Sequence, residues 1–253
     1  MKALILAFLF CVLNLHAQEL DLTAANSTFD FVDQTNGIGN SCGPACLLNS
    51  FGSGTEHWQS CFAKIPGTND RARIASVIKN WGQEPSVNIP NRKRWEIRGG
   101  VNFNDLSLMA LEMSKLNWSL AQPKSELFFT GSPAESQKML KRAHKRLKKS
   151  FKKGFPATLS VRRFVLRDNQ WQSVQGHFVV ITAMPSQLPR NSSSFPISFI
   201  DPHGAKKIDA QVTLGQGNFP CLTLLAPKSN IGTTSVKPGE TTALGLAGAI
   251  GVW

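Results

Sequence analysis

Acidic residues are scarce in this 253-residue chain: 16 Asp and Glu stand against 28 Lys and Arg, for a formal net charge of +12. Charged residues of both signs make up only 17%, against 42% hydrophobic, which excludes a disordered solvating tail and describes a folded globule. Tyrosine is absent, while Phe occurs 16 times and Trp 6 times, a bias that by itself excludes no function. No short His-x-x-x-His or Cys-x-x-Cys pair occurs to fix a metal, no internal repeat is visible, and no second domain boundary interrupts the chain.

Long apolar runs are lacking too. The run at 3–15 is broken by Asn14, and the uncharged segment at 244–253 is shorter still, so neither suits a stable transmembrane span. With Lys2 before it and Ala17 after it, the first run reads instead as a secretory signal over residues 1–17. The protein is therefore expected to be exported, either secreted or periplasmic. Cys11 would leave with the signal, and Cys42, Cys46, Cys61 and Cys221 would remain. The expected layout is one domain over 18–226 and a tail over 227–253 that docks on it or on a partner.

After a lead-in at 18–33, the glycine-rich segment 34–41 reads as a loop running into CGPACLLNSFGSG, which places Cys42 at a loop-to-helix junction. Apolar spacing predicts helices over 70–81, capped by Asn69 or Asp70, and over 104–116, capped by Asn104 or Asp105. A fourth helix, 133–153, carries a narrow stripe of Met139, Leu140, Ala143, Leu147 and Phe151, with basic residues over the rest. The period then becomes strand-like at 157–166, 177–184, 195–200 and 219–226, with an exposed turn at 184–194. A helical first half and a sheet-forming second half make an α+β domain.

A nucleophilic cysteine needs a stabilised thiolate and a reachable sulfur, and a helix start supplies the first through unpaired N–H groups and the helix dipole. Local features leave Cys42 two readings, nucleophile or half of a disulfide. His177 favours the nucleophile, because it follows Gly176 and opens an apolar strand where a core position would hold Val or Phe. Asp201 ends the next strand, before Pro202, so antiparallel pairing across the 184–194 turn would bring it beside His177. A carboxylate there would orient the imidazole and stabilise its protonated form. A metal reading through His177, Asp201 and His203, with or without Cys42, is the weaker alternative, and no cofactor or metal is expected.

Together these residues resemble the peptidase C39-like group of papain-fold cysteine proteases. The resemblance rests on Gln34, on CGPACL from Cys42 to Leu47, on Gly154, Phe155 and Pro156, on GHFVV from Gly176 to Val180, and on the pair Asp201 and Pro202. It implies a papain-like fold, a helical first half packed on an antiparallel sheet. It also implies peptide-bond hydrolysis through an acyl-enzyme intermediate, with a peptide or protein as substrate. Cys42 would attack, His177 would shuttle the proton, Asp201 would orient His177, and Gln34 with the Cys42 N–H would form the oxyanion hole. Seven residues separate Gln34 from Cys42, so the intervening loop must fold back for Gln34 to reach the sulfur. The double-glycine leader peptides cut by exporter-fused members are not carried over, because this chain is expected to have its own export signal.

Two further classes stay in view. The first is a catalytically inactive papain-like binding module, in which Cys42 would be unreactive or disulfide-bonded. The second is a basic surface- or membrane-binding protein acting through residues 138–153, for which nucleic acid is the less suited partner in an exported chain. At most one disulfide is expected among Cys46, Cys61 and Cys221 if Cys42 is free.

Overall fold

Every residue from Gly43 to Gly52 in α1 (Cys42–Gly52) is buried, and a helix buried on all sides is central. Around it lie α2 (Glu56–Ala63), α3 (Asp70–Val77) and α4 (Phe103–Ser114). This is the computed structural model of the protein, and it describes residues 18–118 and 121–253. The expected signal, 1–17, lies outside the described residues.

The helix over 70–81 starts as expected, with the Asn69 side chain accepting from the Ala72 N–H at 2.9 Å, and it finishes in a π turn over Ile78–Gly82. The start of α4 corrects the expected cap. Asn102, one residue before the helix, accepts from the Asp105 N–H at 2.9 Å, and the Asp105 carboxylate accepts in return from Asn102 Nδ2. The short helix α2 was not anticipated, since only Trp58 and Cys61 are buried along it and Thr55 makes no side-chain cap.

The second half corrects the expected fold. Strands β5 (Thr158–Arg167), β6 (Gln170–Met184), β7 (Ser194–Asp201), β8 (Lys206–Thr213), β9 (Leu222–Leu225) and β10 (Thr242–Gly251) form a closed antiparallel barrel. Its order is β6-β5-β10-β9-β8-β7, and β7 pairs back onto β6. The papain-like arrangement, helices laid on an antiparallel sheet, is therefore not what this chain forms. The physical reason is edge closure: β10 takes the inner edges of β5 and β9, and β6 pairs with both β5 and β7, so the ring has no free edge. The segment expected as a docked tail thus supplies a barrel strand.

Smaller elements decorate this frame. β1 (Leu22–Thr23) pairs with the end of β6, β4 (Lys124–Leu127) pairs with β10, and β2 (Trp95–Glu96) pairs with β3 (Gly100–Val101) in a separate two-stranded sheet. Helix α5 (Pro133–Lys152) buries Leu140, Ala143, Leu147 and Phe151 in the same core as the barrel residues Leu159, Val161, Val179 and Phe199. The basic remainder of α5 is turned outward, where Arg142 and Arg146 pair with Glu126.

Strand β6 joins the two halves because its alternation serves two cores. Val179 and Ile181 belong to the barrel core, while Phe178 and Val180 pack with Leu47, Phe51, Leu106 and Met109 of the helical layer. Around the seam, Phe51, Trp58 and Phe155 make mutual edge-to-face contacts with centroids 4.8–5.8 Å apart. Ser50 and Thr158 share a buried hydrogen bond at 2.9 Å, and Trp58 Nε1 donates to the Lys153 carbonyl at 3.0 Å. These polar ties set the height at which the start of α1 meets β6.

Candidate active site

Cys42 is the first residue of α1, and Ser41 before it makes no side-chain cap. The helix start therefore keeps unpaired N–H groups and the positive end of its dipole next to the sulfur. Cys42 is partly exposed, whereas Cys46, Cys61 and Cys221 are buried, and all four are free thiols. The disulfide reading of Cys42 is corrected on this point, and the bridge that the other three could have formed is absent among the described residues. Cys61 Sγ faces the Ser114 carbonyl at 3.8 Å, with no other cysteine joined to it.

The loop between Gln34 and Cys42 folds back, as its length requires. Gln34–Asn36 form a 3-10 turn capped by Asp33, whose carboxylate accepts from the Thr35 N–H at 2.8 Å. Gly39 then takes φ +53°, where a Cβ would come within 2.6 Å of the Ile97 side chain, so the reversal demands glycine. Asn40 holds the far side through Nδ2 donating to the Arg98 carbonyl at 2.7 Å, and Trp95 Nε1 donates to the Asn40 carbonyl at 2.9 Å.

On the barrel side, His177 lies opposite Val161 in β6, and its Nε2 meets Asp201 Oδ1 at 2.8 Å. The register that pairs Val180 with Ile200 accounts for this approach. Asp201 is itself fixed, since Oδ1 also accepts from the His203 N–H at 2.9 Å. The same 202–204 turn positions Gln34: the Gln34 N–H donates to the Pro202 carbonyl at 2.8 Å, and the Gly204 N–H donates to Asp33 at 2.9 Å. One turn thus holds both the carboxylate behind His177 and the backbone of Gln34.

The four residues singled out from sequence, Gln34, Cys42, His177 and Asp201, line one cavity of about 990 Å³ between the helical layer and the barrel. Burial opposes ionisation of the Cys42 thiol, but the charge and hydrogen bond of His177, with backbone donors at Phe178 and Gly43, outweigh it and hold the thiol below its ordinary range. Burial likewise opposes the His177 imidazolium, yet the charge of Cys42 and the hydrogen bonds to Asp201 and Cys42 raise its pKa to about 10. Opposite shifts at two mutually hydrogen-bonded groups favour the charged form of each, thiolate on Cys42 and imidazolium on His177. With Nε2 engaged by Asp201, Nδ1 is the ring atom left for the sulfur.

Gln34 Oε1 is buried and has no hydrogen-bond partner among the described residues. The oxygen and nitrogen of a carboxamide exchange places by a half-turn about the Cγ–Cδ bond, so this marks an unsatisfied polar head on the lining of the cavity that Cys42 shares. Among the described residues no group of three His, Cys, Asp or Glu side chains is arranged to hold a metal ion, so the His177–Asp201–His203 set does not form one. The cavity also takes in Arg98, Ser160, Arg162, Lys206, Lys228 and the 230–234 loop, none of which sequence reasoning singled out. No local signal marks them, because strand pairing across the barrel brings them together.

No family model, no curated protein and no solved structure matches the chain. The functional reading therefore rests on the residues and their geometry.

Proposed function

We propose that this protein is an exported cysteine peptidase that cleaves peptide bonds at Cys42. The observation that carries the reading is the Cys42–His177 pair lining an open cleft, with the thiol lowered and the imidazole raised. The motif set shared with the peptidase C39-like group supports the same reaction class.

In the proposed cycle the Cys42 thiolate adds to the substrate carbonyl carbon, and the oxygen takes the negative charge. The Gln34 amide and the Cys42 N–H donate to that oxyanion. The His177 imidazolium gives its proton to the departing amine as the C–N bond breaks, which leaves an acyl group on sulfur. Neutral His177 then takes a proton from water, the hydroxide equivalent adds to the thioester carbonyl, and the C–S bond breaks to release a carboxylate and restore the pair. Asp201 keeps the imidazole ring turned toward the sulfur throughout.

Incubation of the mature chain with a mixed peptide library, read by mass spectrometry, tests this. New termini are expected from the native chain and not from Cys42→Ser; identical products from both, or none from either, would overturn the reading.

A second, compatible role is favoured by one observation. Five lysines of α5, Lys141, Lys145, Lys148, Lys149 and Lys152, line a groove of about 600 Å³ with Arg190. Contact with an anionic surface through residues 138–153 would follow, and Lys145→Glu with Lys149→Glu would abolish sedimentation with anionic vesicles. Undiminished sedimentation of that variant would remove this role.

A further inference from the structure

The cleft has a charge pattern that the reaction itself does not need. Arg98, Arg162, Lys206 and Lys228 all line it, together with the imidazoles of His177 and His203. Among the described residues Asp201 is the only carboxylate on the lining, and its Oδ1 is already occupied by His177 and the His203 N–H. None of the four Arg and Lys residues has an ion-pair partner among the described residues, although elsewhere Arg92, Arg94, Arg142, Arg146 and Arg167 all pair with Glu.

The four cations come from separate parts of the molecule and face one space. Arg98 precedes β3 on the helical wall, Arg162 projects from β5, Lys206 starts β8, and Lys228 lies on the loop after β9. Arg162 is the most constrained. It is half-buried, its guanidinium lies 5.9 Å from the Phe129 ring centroid, and its register partners are Gly176 and Gly245, neither of which has a side chain. A Cβ built at Gly176 would meet nothing within 4 Å, so the strand face that Arg162 shares with Gly176 is open. A held guanidinium facing open space suits a carboxylate, which it can take in two parallel hydrogen bonds.

Resting on the peptidase reading, we propose that the cleft selects acidic peptide segments, with Arg162 as the principal carboxylate anchor and Arg98, Lys206 and Lys228 supplying the surrounding positive field. A cleft lined by one sign of charge concentrates oppositely charged ligands, and the effect weakens with salt.

Binding and cleavage are tested separately, so that the two ideas fail in different ways. Cys42→Ser protein is titrated with a fluorescent Glu-rich peptide, its Gln counterpart and a single-stranded oligonucleotide, at low and high salt. The Glu peptide is expected to bind about tenfold or more tightly than the Gln peptide at low salt, with the gap closing at high salt. Arg162→Glu should erase that preference, and a melting transition in each variant verifies that it is folded. Equal affinity for Glu and Gln peptides, or a preference that survives Arg162→Glu, would overturn the proposal, as would oligonucleotide binding that outcompetes both. With the native chain, the kcat/KM ratio for the same two peptides should follow the binding ratio. Selective binding without any cleavage would support the charge selection and sink the peptidase reading instead.

Discussion

The helical layer and the barrel contribute to the site by different physics. The helical layer brings Cys42 to the cleft through local means: a helix start, a glycine reversal at Gly39 and an uncapped first turn. The barrel brings His177 and Asp201 together only through antiparallel pairing of β6 with β7, and it holds Gln34 at a distance through the 202–204 turn. The setting of Cys42 is thus encoded within about ten residues, while the approach of His177 and Asp201 depends on the closed ring of strands. Damage to the first should remove chemistry without touching the fold, and damage to the second should detune chemistry through geometry.

The largest effect that sharpens this contrast is expected on the helix side. Cys42→Ser should lower kcat/KM by at least about 10⁴-fold while leaving the thermal unfolding midpoint close to that of the native chain. His177→Ala, on the barrel, should cost about 10³-fold. Gln34→Ala should lower kcat by about 10²-fold with little change in KM or in thiol alkylation, because it acts on the oxyanion and not on the thiolate. Asp201→Asn should cost roughly tenfold, since the ring loses its charged partner but keeps a hydrogen-bonding neighbour.

Cys46 gives the smallest effect and a control within one helix. It sits one turn after Cys42, yet burial, with the charges of Cys42 and Asp201, pushes its thiol well above the ordinary range. Cys46→Ala should change peptide turnover by less than about twofold and cost on the order of 1 kcal/mol in urea unfolding. A large loss of turnover without loss of stability would break the contrast between the two cysteines.

The pH profile follows from the two opposite shifts. Turnover should rise from acid as Cys42 ionises below the ordinary thiol range, and fall in alkali as His177 loses its proton near pH 10. A steady-state kcat/KM profile with a single alkaline rise would contradict the pair.

Cys42 and Asp201 were legible in the sequence because they sit at element boundaries, a helix start and a strand end before Pro202, whereas His177, expected to open its strand, lies midway along β6 and was legible only through the Gly176 beside it. The barrel was not, and β10 shows why. Its segment TALGLAGAIG has little alternation and many small residues, which in isolation resembles a docking tail. In the structure the small residues answer to crowding from three sides, since a Cβ at Gly245 would lie 2.4 Å from Cys221 Sγ. Closeness to a residue on another strand leaves no local pattern to read. Strand β8, KKIDAQVT, carried a readable alternation in Ile208, Ala210 and Val212, but its charged start masked it.

The most direct measurement is the pH dependence of iodoacetamide alkylation at Cys42 in the folded mature protein, located by peptide mapping and repeated in His177→Ala. A paired thiolate predicts rapid labelling well below ~8.5, the free-thiol reference, and a clear slowing at that pH once His177 is gone. Labelling that titrates as an ordinary thiol and is indifferent to His177, or that appears only after reduction, would contradict the account.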